Sequence, residues 1–196
     1  PGVVEAVSRF GPPGLLDGVQ IARNDARQHL FTARGGWDVI TSGPSYPTES
    51  AVGNLFTREF YALAASRLRA GGVYCQWLPY HLLTNDDVTL MLRTFGSEFG
   101  HSMLWKVGGG VDLILLGSRT PFAVSADAIQ RRVIRMDSDV VPLDFVLSRG
   151  PEQMAAIVEE GEGPLNTDDR PILEFRAARN LLIGDLALLD RREAVR

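Results

Sequence analysis

The residues best placed to do chemistry lie in one loop, Ser42-Gly43-Pro44-Ser45-Tyr46-Pro47-Thr48-Glu49-Ser50-Ala51-Val52-Gly53-Asn54. Glu49 is its only carboxylate. A carboxylate there can hold an amine through a charge-assisted hydrogen bond, or stand as a solvated loop charge. Tyr46 offers a ring face to a nucleotide or a cation, or simply packs the loop. A second group, Gln76, Trp77 and Tyr80, follows the end of a later strand and reads as cleft wall or as core. His81 next to it could serve as a base, although a lone histidine is more often structural. Asp25, at the end of the Val19–Asn24 run, is a ligand contact or a plain turn residue.

These groups need a scaffold, and the surrounding pattern supplies one. Trp37-Asp38-Val39-Ile40-Thr41 reads as a buried strand entering the loop. Phe56, Phe60, Leu63, Ala64 and Leu68 then mark one helical face, with Arg67 and Arg69 near its carboxyl end and Gly71-Gly72 after it. Val73 to Leu78 is a second buried strand. Loops leaving the carboxyl ends of parallel strands are where α/β sheets bind ligands, so residues 42–54 are the candidate active-site loop.

The rest of the chain extends that plan. Val3, Val7 and Phe10 suit a short helix stopped by Gly11-Pro12-Pro13-Gly14. Val19 to Asn24 reads as a strand, and Gln28 to Ala33 as a short helix. Thr84-Asn85-Asp86-Asp87 has the form of a capping box, opening a helix with Val88, Met91, Leu92, Phe95 and Phe99 inward. Met103–Val107 and Asp112–Gly117 flank Gly108-Gly109-Gly110 as a hairpin. Beyond Thr120-Pro121 the pattern turns helical, with Ser125 capping a helix to about Met136 and Pro151 opening another. Residues 161–171 read as a loop, with Asn166 to Arg170 structural or a lid, and residues 180–190 as a last short helix.

Composition bounds the function. At 196 residues the chain is one domain, or one and an appendage, and its 45% apolar share suffices for a core. A net charge of −4 with no basic block argues against a nucleic-acid partner. The single Cys75 excludes an intramolecular disulfide and fits a reducing compartment. No Cys/His spacing suits zinc. No apolar run approaches the about 18 residues of a membrane span. A chain opening Pro1-Gly2-Val3-Val4-Glu5 reads as a piece of something longer.

Several segments carry a family resemblance. Trp37–Trp77, with Asn54-Leu55-Phe56-Thr57-Arg58-Glu59-Phe60-Tyr61 at its centre, resembles the signature region of spermidine synthases. Asn24-Asp25-Ala26-Arg27 resembles the family's Asp-Gly/Ala-Arg segment, and Pro1–Val7 the stretch after its second strand. The tail Asn166-Thr167-Asp168-Asp169-Arg170-Pro171-Ile172-Leu173-Glu174-Phe175 and the loop Ser42–Pro47 are similar to spermidine-synthase-like domains fused to membrane segments in bacteria. The resemblance implies a Rossmann-like, methyltransferase-type, mostly parallel sheet in the order 3-2-1-4-5-7-6 with an antiparallel edge hairpin. Residues 1–120 would be the partial domain, truncated at the amino end, and residues 121–196 a helical extension packed on it. The family's Gly-rich nucleotide loop and its ribose-holding acid would precede residue 1. Without the first two strands an apolar edge is left open, to be covered by a partner chain, a homodimer contact or a rearranged amino-terminal segment.

The resemblance also implies a chemistry. The co-substrate is decarboxylated S-adenosylmethionine or S-adenosylmethionine, with no permanently bound cofactor, and the acceptor is a small amine. Asp25 and Ala26, with Ser42 and Gly43, would hold the nucleotide, and Asp25 would meet its adenine. Tyr46, Gln76, Trp77 and Tyr80 would line the acceptor site. Two loop aspartates of the family fall here on Gly43 and Tyr46, which leaves Glu49 as the base. A free alkylamine has a pKa near that of lysine, about 10.4, so a carboxylate or desolvation must supply the neutral nucleophile. Two further readings stand beside this one: a non-catalytic scaffold or assembly domain of a membrane-fused protein, and a small-amine methyltransferase. The implied location is cytoplasmic, at the cytoplasmic face of a membrane if the parent chain carries a membrane segment upstream.

Overall fold

The computed structural model describes residues 5–6, 9–12, 14, 16–43, 46–47, 49, 52–79, 83–107, 112–122, 131 and 146–183. The chain divides into two compact units, Pro1–Arg34 and Gly35–Arg196.

In the first unit the best-formed element is helix α1, Ala26–Thr32. Asp25 caps it: its backbone is extended, and its Oδ1 accepts from Gln28 N at 2.8 Å. The helix begins two residues before the expected Gln28 because that cap satisfies one of the free N–H groups of the first turn. The strand expected over Val19–Asn24 does not form. The segment is irregular, with Val19 and Ile21 exposed. Its alternation has the right period, but a strand needs a neighbour for its N–H and C=O groups, and the described residues offer none. Of the expected Val3–Phe10 helix, residues 5–6 and 9–10 are helical and the others lie outside the described residues.

The second unit begins with β1, Trp37–Ser42, a 3-10 turn at Gly53–Phe56, α2, Arg58–Arg67, and β2, Leu68–Leu78. Then follow α3, Asn85–Gly96, β3, His101–Val107, β4, Asp112–Ser118, β5, Val146–Arg149, α4, Pro151–Glu159, and α5, Ile172–Ile183. The sheet order is β1-β2-β4-β3-β5. β1 and β2 are parallel, β4 is antiparallel to β2 and β3, and β5 is antiparallel to β3. The first four strands follow the 4-5-7-6 part of the implied order, with its antiparallel hairpin. This is an α/β fold of the Rossmann-like, methyltransferase type. Among the described residues no helix is long and apolar enough to cross a membrane.

Local chemistry explains most boundaries. Thr84 and Asp87 form the expected capping box of α3: Asp87 N donates to Thr84 Oγ1 at 3.2 Å and Thr84 N to Asp87 Oδ2 at 3.1 Å. Thr57 caps α2 through Phe60 N. β2 starts before Gly71-Gly72 rather than after it. The register against β1 jumps there, from Trp37↔Leu68 to Val39↔Val73, so the glycines form a bulge inside the strand. Gly71 takes φ +76°, which glycine alone adopts cheaply.

Three expectations about burial and extent are corrected. β1 was expected to be buried, yet none of its six residues is, and Val39 is 60% exposed. β1 is a sheet edge, paired only with β2 among the described residues. β5 adds a strand where only helices were expected. α5 begins at Ile172 rather than 180, because Leu173 and Ala177, four apart, are both fully buried. The helix expected over 125–136 lies outside the described residues except for helical Arg131, as do residues 184–190.

The core sits between the sheet and α2 and α3. Tyr61, Tyr74, Phe95 and Phe99 are buried together. Tyr74 stacks on Phe99 at 5.2 Å, and Tyr61 meets Phe95 edge-on at 5.1 Å. Gly117 pairs with Tyr74 across the sheet and leaves room for these rings. A Cβ at Gly117 would lie 2.6 Å from Phe99 Cγ and 2.7 Å from Phe95 Cε1.

Burial raises the pKa of both Tyr61 and Tyr74, partly offset at Tyr74 by a hydrogen bond with Ser42. The unfolded chain therefore loses these phenolic protons near pH 10 while the folded protein keeps them. Below that pH both states keep these protons and the tyrosines leave stability unchanged. Above it the folded state binds more protons, and stability falls by about 1.4 kcal/mol per pH unit for each tyrosine. Denaturant unfolding should show a small loss of stability between about pH 7 and 9, from the buried Cys75 thiol, and a steeper loss toward pH 11 that is shallower in Tyr74→Phe. An unchanged alkaline slope in that variant would contradict this.

Candidate functional site

The candidate site is built at the carboxyl ends of β1 and β2, which run parallel and end in register at Ser42↔Gln76. Alternation along β2 sends Tyr74, Gln76 and Leu78 into the core and leaves Cys75 and Trp77 half-buried on the other face. Tyr74 Oη donates to Gln76 Oε1 at 2.7 Å. Gln76 Nε2 donates to Ser42 O at 3.3 Å and to Trp77 O at 3.1 Å. The Gln76 side chain thus ties the last residue of β1 to β2 at the point where the loop departs. Gln76 is fully enclosed, with its amide engaged on both atoms.

Beyond Ser42, Gly43, Tyr46 and Glu49 lie outward, whereas Pro47 is buried. Gly43 is exposed, and a Cβ there would meet nothing within 4 Å. Tyr46 is 38% exposed and its ring lies 6.3 Å from that of Trp77, tilted by 53°. Glu49 is exposed, and its N–H donates to Tyr46 O at 3.0 Å. The loop ends in the Gly53–Phe56 turn, where a Cβ on Gly53 would stand 2.9 Å from Glu174 Cβ on α5.

The structure thus brings Ser42, Gly43, Tyr46, Gln76 and Trp77 to one end of β1 and β2, with Glu49 in the same loop. Tyr80 and His81 lie outside the described residues. Asp25 and Ala26 belong to the first unit, where both are exposed and Asp25 caps α1. Cys75 is half-buried, and burial raises its thiol pKa, which fits an unreactive side chain. Asp87, expected to be a capping residue, also takes a hydrogen bond from Asn180 Nδ2 at 3.0 Å and lies 3.1 Å from Arg176 Nε. Among the described residues no cluster of three or more His, Cys, Asp and Glu could hold a metal ion.

One residue escaped the sequence reading as part of the site's support. Asn166 is buried and bonded to Phe56, Arg58, Thr94 and Leu173. Its place in an Asn-Thr-Asp-Asp-Arg-Pro run was the only signal available.

No protein-family model matches the chain. No curated protein matches it significantly. Among solved structures it is similar to the crystal structure of a probable spermidine synthase from Corynebacterium glutamicum ATCC 13032, with a TM-score of 0.58 and 19% sequence identity. The match covers 84% of this chain and 60% of that one. At that identity the likeness shows a shared fold, spermidine-synthase-like, and no more.

Proposed function

We propose that this chain is a spermidine-synthase-like transferase domain that binds a sulfonium nucleotide and a small amine and is weak or inactive in turnover. The co-substrate is decarboxylated S-adenosylmethionine or S-adenosylmethionine. One observation carries the reading: the fold matches that of a probable spermidine synthase, and Ser42, Tyr46, Gln76 and Trp77 lie together where β1 and β2 end. Asp25, with Ala26, holds the adenine. Ser42 and Gly43 line the nucleotide. Tyr46, Trp77 and Tyr80 wall the acceptor, and Gln76 keeps that wall in register. Glu49 is the remaining carboxylate for the amine. In this reading the open edge of β1 is covered by a second copy or by more of the parent chain, at the cytoplasmic face of a membrane if the parent carries a membrane segment.

A second reading is a binding or assembly domain without turnover. It is favoured by Gly43 and Tyr46, neither a carboxylate, and by the exposure of Glu49. Calorimetric titration of the intact protein with both nucleotides separates the readings. Preference for the decarboxylated form supports aminopropyl transfer. Preference for S-adenosylmethionine supports a small-amine methyltransferase. Binding of neither leaves the assembly domain.

A further inference from the structure

The candidate loop is held at its downstream end by a residue distant in sequence. Asn166 is 1% exposed, and all of its polar groups are engaged. Its side-chain Nδ2 donates to Phe56 O at 3.0 Å, and its Oδ1 accepts from Leu173 N at 3.0 Å. Its backbone N–H donates to Thr94 Oγ1 at 3.0 Å, and its carbonyl accepts from Arg58 N at 2.8 Å. Phe56 closes the 3-10 turn and Arg58 opens α2, so Asn166 grips both sides of the junction where the loop ends. Asp168 N adds a bond to Glu59 Oε2 at 2.9 Å. Upstream, Gln76 holds Ser42 O. Two buried amides, one from β2 and one from the carboxyl-terminal segment, therefore fix the two ends of the loop.

We propose that Asn166 is a positioning residue for this loop. By tying Phe56 and Arg58 to the carboxyl-terminal segment, it sets where the loop emerges over the ends of β1 and β2. It does so without touching a reacting group. A buried carbonyl stripped of its partner carries a desolvation penalty, and relief comes from local opening of the turn that bears it. Small displacements of a positioning element are costly to catalysis. The inference rests on the proposed function in taking this loop as the site.

Hydrogen exchange on the intact protein, with and without S-adenosylmethionine, tests it. Asn166→Asp keeps the oxygen that meets Leu173 and removes the donor to Phe56, whereas Asn166→Ala removes both. Asn180→Ala is the control, since it loosens α5 at Asp87 and leaves Phe56 alone. In the free protein, exchange over residues 52–58 should rise about tenfold in both Asn166 variants relative to the control, from loss of one buried bond. The amides of β2 and β4 should stay within about twofold of the control. A rise shared equally by all three variants, or spread into β2 and β4, would overturn the proposal. If Asn166→Ala fails to fold, Asn166→Asp alone decides. If that also fails, Thr94→Val decides: it removes the acceptor of the Asn166 N–H, and no local rise in it overturns the proposal. With nucleotide, exchange over residues 42–58 should fall in the parent and fall less in the Asn166 variants. A parent unaffected by nucleotide counts against the loop as the site, and the free-protein comparison still decides whether Asn166 anchors it.

Discussion

Given decarboxylated S-adenosylmethionine and putrescine, the intact protein should turn over little or no substrate. Putrescine carries two charges at neutral pH, so its site needs acids at both ends and a base at the attacking nitrogen. Gly43 and Tyr46 occupy the two loop positions where the resemblance places carboxylates. General-base assistance is worth about 10²–10⁴ in rate, and orientation by the same groups adds to the loss. Glu49 is exposed in this structure and compensates only if the loop turns it inward. The informative comparison is Gly43→Asp/Tyr46→Asp beside the parent. Space at Gly43 is open, so the new side chain fits, and Tyr46→Asp gives up the ring contact with Trp77. Activity confined to the double mutant would show that the scaffold is competent and that the chemistry is absent at those two positions. Robust turnover by the parent, abolished by Glu49→Gln, would overturn the expectation and make Glu49 the base.

The second large effect is on stability. Phe95→Ala should cost about 3–5 kcal/mol, the usual range for removing a fully buried phenylalanine. Phe95 lies 4.6 Å from Phe99, 5.1 Å from Tyr61 and 6.0 Å from Tyr74, centroid to centroid. Gly117 backs the same rings with no side chain to fall into the void. A domain's whole stability is about 5–15 kcal/mol, so the variant should be marginal at room temperature. Its urea midpoint measures this directly. A loss below about 1 kcal/mol would mean that the core relaxes around the vacancy and that these rings are not its centre.

What the sequence made legible follows the range of the interactions. The capping box at Thr84 and Asp87, the α3 face of Met91, Leu92 and Phe95, and the β3–β4 hairpin are local patterns, readable within a dozen residues. So were the two strands and the helix between them, because β1, α2 and β2 are consecutive. Two errors came from partners that sequence does not display. The alternation over Val19–Asn24 is right for a strand that lacks a neighbour, and the apolar run of β1 reads as buried although it lies at an edge. β5 is four residues of an edge strand, too short for a period to emerge. At the site, the placement of Ser42, Tyr46 and Trp77 was legible from the strand–loop pattern. The enclosure of Gln76 depends on Tyr74 and Ser42 together. The grip of Asn166 on Phe56 spans 110 residues and leaves no local trace.

The central claim is that this scaffold binds a sulfonium nucleotide and that Asp25 meets its adenine. Asp25 also caps α1, so a plain Asp25→Ala would mix a lost cap, worth about 0.5–2 kcal/mol, with a lost contact. Asp25→Ser separates them, since serine caps nearly as well as aspartate but is too short to reach a base. The decisive measurement is therefore calorimetric titration of the intact parent and of Asp25→Ser with the nucleotide the parent prefers, with thermal unfolding alongside. The account predicts saturable binding by the parent, affinity weaker by about 1–3 kcal/mol in Asp25→Ser, and similar melting temperatures for both. Equal affinity in the two proteins would remove Asp25 from the site, and no binding by a folded parent would contradict the claim itself.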